Sequence, residues 1–271
     1  AEVSFCTGCV IVNKAFSVSI IGRSNVMHNL SFSFNIAAWH AVSSRMAAPA
    51  QWQAWAADAD AALEMPDYKP ALAFLPAMQR RRLGDSARRV LDAAWDLASD
   101  YPDAPLVYVS HDGEINRSFE LWLGLLRDNE VSPTSFGLSV HNALAGQWSM
   151  LRGDMGENTA LAVRGDSLES GMAEAYALLH DGAEQVLLVL ADEPLSAAYD
   201  VAAHRAPWPY ALAMVLTHGT DYRLSLMPSE NAADNQGDYW GALAWIRFML
   251  SDGLEHMQHN GARRWLWQKS A

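Results

Sequence analysis

Three short apolar runs constrain what this chain can fold into more than any other feature: Leu106 to Ser110, Thr159 to Val163 and Gln185 to Leu190. Each is too short for a helix and is bounded by turn residues, so each reads as a strand buried on both faces. Between the second and third runs, Leu168, Met172, Ala175 and Leu179 recur at helical spacing, and Asp181-Gly182 ends that stripe. Strand, helix and strand in this order make a βαβ unit with parallel strands and helices over both faces of the sheet.

The remaining pattern extends this α/β reading. Ser31 to Ala37 alternates polar and apolar residues as a half-buried strand does. Helices are expected at Gln51 to Leu63, Gly84 to Ser99, Glu114 to Arg127, Asn142 to Met150 and Trp240 to His256. Ser132-Pro133-Thr134 reads as a turn. Tyr210 to Thr217 and Tyr222 to Met227 read as two strands of a hairpin around His218-Gly219-Thr220-Asp221. Ser229 to Gly237 reads as a flexible loop. Residues 1–30 lack this periodicity and read as an N-terminal extension, with a natural start near Met27; the alternative is a genuine N-terminal strand pair. Residues 31–271 then form one domain.

Composition narrows the function. Nineteen Lys and Arg stand against 31 Asp and Glu, a net charge of −12. That balance disfavours nucleic acid and anionic membrane as partners. The exception is a basic cluster at Arg80, Arg81, Arg82, Arg88 and Arg89. The two cysteines, Cys6 and Cys9, form a lone CxxC with no further ligands at zinc spacing, so neither a metal nor another cofactor is expected. No run is long and apolar enough to span a membrane, so the expected location is the cytoplasm. Eleven tryptophans serve either a core or an interface.

The chemistry-bearing stretch is Thr159 to Asp192. A strand enters a sharp turn, Arg164-Gly165-Asp166-Ser167, and a helix begins there. Free N–H groups and the positive dipole end of a helix stabilise a thiolate or an oxyanion at such a turn. This stretch resembles the nucleophile segment of β-ketoacyl synthases. The match includes the small-residue helix, the Asp181-Gly182 end and the following apolar strand. Met78 to Arg89 resembles the arginine-bearing segment of the same family. Pro105 to Glu114 and Ser132 to Gly146, with its Ser-Val-His-Asn-Ala segment, resemble the short branch of ketosynthase-like chain length factors found with aryl polyene and related lipid clusters.

The resemblance implies a half-thiolase-like fold, equivalent to an N-terminal ketosynthase half, with a mixed, mostly parallel sheet. It also implies a departure. Condensing enzymes carry the acyl chain on a cysteine that aligns with Gly165, and this turn has none. Covalent thioester catalysis needs that nucleophile. The 79 residues after Asp192 are too few for a second half carrying the family's catalytic histidines. The implied role is therefore a non-catalytic chain length factor. It would form a heterodimer, or a dimer of heterodimers, with a catalytic ketosynthase and shape its acyl tunnel. The degenerate turn is Gly165, Asp166 and Ser167. Interface or tunnel candidates are Ser139, His141, Asn142, Ser170 and Gly171. The family's acidic acyl carrier protein would dock mainly on the partner, with the arginine cluster as the possible exception.

One rival comes from the residues themselves. Gly165-Asp166-Ser167-Leu168 spells a GDSL motif after a strand, the signature of a serine esterase using Ser167. The motif lies beyond the middle of the domain, and an Asp-x-x-His partner is absent. Two further groups have plain structural readings. His141 and Asn142 would cap the next helix and fill the core, and His111, Asp112 and Glu114 would form a solvated turn.

Overall fold

The computed structural model describes residues 30–201, 206–227, 240–260 and 263–270. Within them the chain runs through β1 (Ser31–Ser43), α1 (Pro49–Ala57), α2 (Ala61–Glu64), α3 (Ala77–Arg80), α4 (Asp85–Asp100), β2 (Leu106–Ser110), α5 (Ile115–Asp128), α6 (Pro133–Gly137) and α7 (Ala143–Arg152). It continues through β3 (Asn158–Ala162), α8 (Ser167–His180), β4 (Gln185–Asp192), β5 (Tyr210–Met227), α9 (Gly241–Met249), β6 (Glu255–Asn260) and β7 (Arg263–Lys269). The extension expected over residues 1–30, both cysteines and the loop expected at Ser229 to Gly237 lie outside the described residues, Leu30 excepted.

The strands form one seven-stranded sheet in the order β3-β2-β4-β5-β7-β6, with β1 also pairing β5. The three apolar runs are β2, β3 and β4. They are mutually parallel, with β2 seated between the other two. The expected βαβ unit is therefore present, but its two strands are not neighbours. The sheet is mixed, as expected, yet the parallel share is smaller than expected. The β2 pairings are parallel, whereas β1 with β5, β4 with β5, β5 with β7 and β6 with β7 are antiparallel.

Alternation along the strands builds two cores. Val107, Val109, Val186, Leu188, Leu190, Leu212 and Met214 face one side, against Leu168, Met172 and Ala175 of α8 and Trp245 of α9. Leu106, Tyr108, Leu187, Val189, Ala211 and Ala213 face the other, against Val90, Leu91 and Ala94 of α4 and Trp148 of α7. A strand buried on both faces must be apolar at odd and even positions alike, which is why β2 and β4 lack the period of two; β3, at the sheet edge, is only half-buried, contrary to expectation. Most tryptophans fill these cores. Trp52, Trp55, Trp148, Trp245, Trp265 and Trp267 are buried, and Trp122 is an exposed exception.

Three expectations are corrected. The helix over Gln51 to Leu63 breaks after Ala57, because the Asp58 carboxylate accepts the Asp60 N–H and starts a local turn. The helix over Trp240 to His256 stops at Met249 and gives way to the β6–β7 hairpin. The Tyr210 to Met227 hairpin is instead one long strand. Phe34 pairs with Tyr222 and the adjacent Asn35 pairs with Thr217, so His218 to Asp221 bulge out without reversing the chain. Asn35 holds the bulge by accepting the Asp221 N–H at 2.9 Å, and Gly219 leaves room for the Asn35 carboxamide.

Candidate functional site

The turn that would carry a nucleophile follows β3 and opens α8. Gly165 sits there with φ of +100°, a conformation L side chains rarely adopt. A Cβ added to Gly165 would lie 2.6 Å from Asn260 Oδ1 and 2.7 Å from its Cγ. The carboxamide at the end of β6 therefore fills the space that a nucleophilic side chain at this position needs.

The rest of the turn is clamped by β7. Trp265 Nε1 donates to Asp166 Oδ2 at 2.9 Å, and Arg263 Nη2 lies 3.0 Å from Asp166 Oδ1. One helical turn further, Trp267 Nε1 donates to Glu169 Oε1 at 3.0 Å. Strand neighbours two apart share a face, and helix residues three apart share a face, so Trp265 and Trp267 meet Asp166 and Glu169 in register. Asp166 is the helix N-cap, yet its side chain makes no capping bond, because the indole and guanidinium hold it outward. Burial pushes the Glu169 carboxyl up to about 7.

The Asn260 carboxamide thus occupies the space at residue 165, and the neighbouring Asp166 carboxylate is paired with Arg263. The arrangement does not favour the esterase. Ser167 is buried in the first turn of α8, and among the described residues no histidine hydrogen-bonds to it. The Ser167 reading therefore finds no support.

The candidates downstream of β2 do converge. Ser110 ends the strand, and its Oγ accepts the Gly113 N–H at 2.9 Å and bonds to His141 Nε2 at 2.8 Å. Gly113 has φ of +58°, and a Cβ there would lie 3.3 Å from His141 Cα. His141 thus ties the segment before α7 to the turn after β2, and burial lowers its pKa. Ser139 lies close by, its carbonyl accepting from Ser118 Oγ of α5 at 3.4 Å. Asn142 occupies the N-cap position of α7, but its side chain makes no capping bond, contrary to expectation.

The His111, Asp112 and Glu114 turn is not simply solvated. His111 Nδ1 lies 3.0 Å from Asp112 Oδ2, and the His111 N–H donates to Asp192 Oδ1 at 2.8 Å. Tyr210 OH donates to Asp192 Oδ2 at 3.2 Å. Glu114 is buried and pairs with Arg117 at 3.2 Å. Burial raises the Glu114 carboxyl, and it pushes Asp192 up to about 7. Through the His111 N–H and the Asp192 carboxylate, this turn ties the end of β2 to the end of β4.

Ser170 and Gly171 lie elsewhere. A Cβ on Gly171 would lie 2.8 Å from both Leu188 Cδ1 and Val109 Cγ2. The small residue at 171 brings α8 onto its own sheet, so Gly171 packs inside this chain. The residues that close the Gly165 turn were missed by sequence reasoning. Asn260, Arg263, Trp265 and Trp267 belong to the β6–β7 hairpin, where the sequence pattern predicts helix as far as His256 and nothing beyond it. Asn260-Gly261 followed by Trp265-x-Trp267 is the signal that would have found it.

With this geometry in hand, comparison with known proteins places the chain. The family model for the β-ketoacyl synthase N-terminal domain matches residues 52–268. The chain belongs to the β-ketoacyl synthase N-terminal domain family. Similar folds occur in the complex of the ketosynthase ApeO with its chain length factor ApeC from Xenorhabdus doucetiae. There the TM-score is 0.77 at 24% identity, over 88% of this chain and 100% of that one. The ishigamide ketosynthase/chain length factor gives 0.56 at 14% identity, over 73% and 68%. The AntDE:AntF complex, a type II polyketide synthase acyl-carrier protein in complex with its ketosynthase, gives 0.62 at 11% identity, over 88% and 99%. No curated protein matches the chain. Among the described residues, no helix is long and apolar enough to cross a membrane.

Proposed function

We propose that this chain is a non-catalytic chain length factor that pairs with a catalytic β-ketoacyl synthase in the cytoplasm and shapes its acyl tunnel during aryl polyene or related polyketide synthesis. The observation that carries the reading is the sealed turn, in which Asn260 stands against Gly165 and Trp265 and Arg263 hold Asp166. A ketosynthase fold that fills its own nucleophile position has a use in an assembly whose other subunit supplies the cysteine.

Two surfaces support a partner. β3 ends the sheet order, so one of its edges has no strand beside it among the described residues. An unpaired edge favours pairing with another chain. On α5, the hydrophobic stripe buries no residue, and Trp122, Leu125 and Leu126 stand exposed, with Phe136 and Val140 exposed around α6. Ser139 and His141 lie beside these residues, which supports their reading as part of a tunnel or interface wall. The carrier protein delivers its chain to the partner. Co-expression with a ketosynthase encoded beside this chain, followed by size-exclusion chromatography, tests the reading. A one-to-one complex that elongates acyl chains is expected, and a chain that elutes alone would overturn it.

A further inference from the structure

A cleft of about 460 Å³ opens between the α3–α4 junction and the segment before it, lined by Lys69, Pro70, Ala71, Ala77, Arg80, Arg81 and Arg88. Two of its arginines are fixed by neutral groups. Arg80 Nη1 donates to the Ala71 carbonyl at 3.1 Å. Arg88 Nη1 donates to the Pro70 carbonyl at 3.2 Å, and Arg88 Nη2 donates to the Arg80 carbonyl. Carbonyls position a guanidinium without cancelling its charge. Among the described residues none of Arg80, Arg81 and Arg88 forms an ion pair and no carboxylate lines the cleft; Lys69 lies 3.6 Å from Asp85, outside the lining. In a chain with 31 acidic residues against 19 basic ones, three guanidiniums around one concavity stand without a carboxylate.

A guanidinium carries five N–H donors in a planar fork that matches phosphate oxygens two at a time. Arg80 commits one side-chain donor to the protein, Arg88 commits two, and Arg81 commits none. The excess of positive charge calls for a ligand with at least two negative charges. The cations converge on a concavity of small-molecule size instead of forming a stripe along a helix face, which favours a compact polyanion over an acidic protein segment. We propose that this cleft binds a phosphorylated small molecule, with Arg81 and Lys69 as its mobile contacts and Arg80 and Arg88 as its fixed walls. The inference stands independently of the chain length factor reading.

The test is calorimetric titration of the purified chain with inorganic pyrophosphate at about 0.15 M salt, where exposed charges are screened beyond about 8 Å. Saturable binding with Kd below about 1 mM is expected. The pair Lys69→Ala and Arg81→Ala should weaken it at least about tenfold while the melting curve stays in place, since among the described residues the Arg81 guanidinium makes no hydrogen bond. Arg81→Lys should lose the bidentate contact but keep part of the binding. Absence of pyrophosphate binding, or binding indifferent to both variants, would overturn the proposal. So would arginine-dependent binding of poly-L-glutamate in place of pyrophosphate, which would make the cleft a docking face for an acidic protein.

Discussion

Gly165 and Asn260 occupy one space: a side chain on the first is incompatible with the carboxamide of the second where it now stands. A side chain at residue 165 therefore has to displace the Asn260 carboxamide. Gly165→Cys should lower stability by roughly 1–3 kcal/mol through overpacking and positive φ. The added thiol should also resist alkylation by iodoacetamide. Adding Asn260→Gly should return part of the stability and expose the thiol. If Gly165→Cys folds with wild-type stability and alkylates readily, Asn260 does not seal the turn.

The β7 clamp gives a second prediction. Trp265→Phe keeps the ring but removes the donor to Asp166, whose side chain is 1% exposed. Leaving a buried carboxylate oxygen short of a partner costs about 1–3 kcal/mol. Trp267→Phe acts in the same way on Glu169. Urea denaturation of each variant measures the loss. Arg263→Ala should cost at least as much, because it leaves the buried Asp166 Oδ1 without its cation. Losses well under about 1 kcal/mol for the two indole variants would show that packing, not the indole donors, sets the clamp's contribution.

How much of this was legible in the sequence depends on which physical signal each element carries. β2, β4 and α8 were legible because burial on both faces, or on one helical stripe, writes itself into consecutive residues. β5 was not. His218-Gly219-Thr220-Asp221 carries real turn chemistry, but β1 pairs with the strand on both sides of it and keeps the two halves collinear. That the space at Gly165 holds no cysteine was legible in the sequence. What fills it was not, because Asn260 arrives from nearly a hundred residues away in a hairpin whose Trp265-x-Trp267 alternation is only three residues long. His141 was legible as a residue of interest, but its bond to Ser110 required knowing that α7 packs beside β2.

Two buried carboxyls set an unusual pH dependence. Burial is the main cause that raises Asp192 and Glu169 to about 7, from ordinary values of 3.8 and 4.5. A carboxyl whose folded pKa exceeds its unfolded one binds protons more readily when folded. Its stabilisation is complete below the unfolded value and is lost as pH rises through the folded value. The melting temperature should therefore rise as pH falls from about 8 to about 6.5. Below about 6.5, His141 works in the opposite direction, because burial lowers its pKa and protonation then favours the unfolded chain. Asp192→Asn and Glu169→Gln should each flatten the slope above that point. A melting temperature that climbs with pH across this window, or a slope that neither variant changes, would contradict the assignment.

The exposed stripe of α5 gives the last prediction, which rests on the proposed heterodimer. Trp122 is 57% exposed, Leu126 is 66% exposed and Phe136 near them is 60% exposed. No residue of the helix is fully buried, and while Phe119 packs against Tyr199, the outermost apolar residues Trp122 and Leu126 add little to the chain's own stability. Trp122→Asp combined with Leu126→Asp should therefore leave the melting curve of the isolated chain nearly unchanged. The same pair should abolish co-elution with the ketosynthase, because it places two charges in what the partner would bury. Loss of folding in the isolated chain would mean the stripe packs internally. Undiminished co-elution would move the partner's contact away from α5 and leave the β3 edge to carry it.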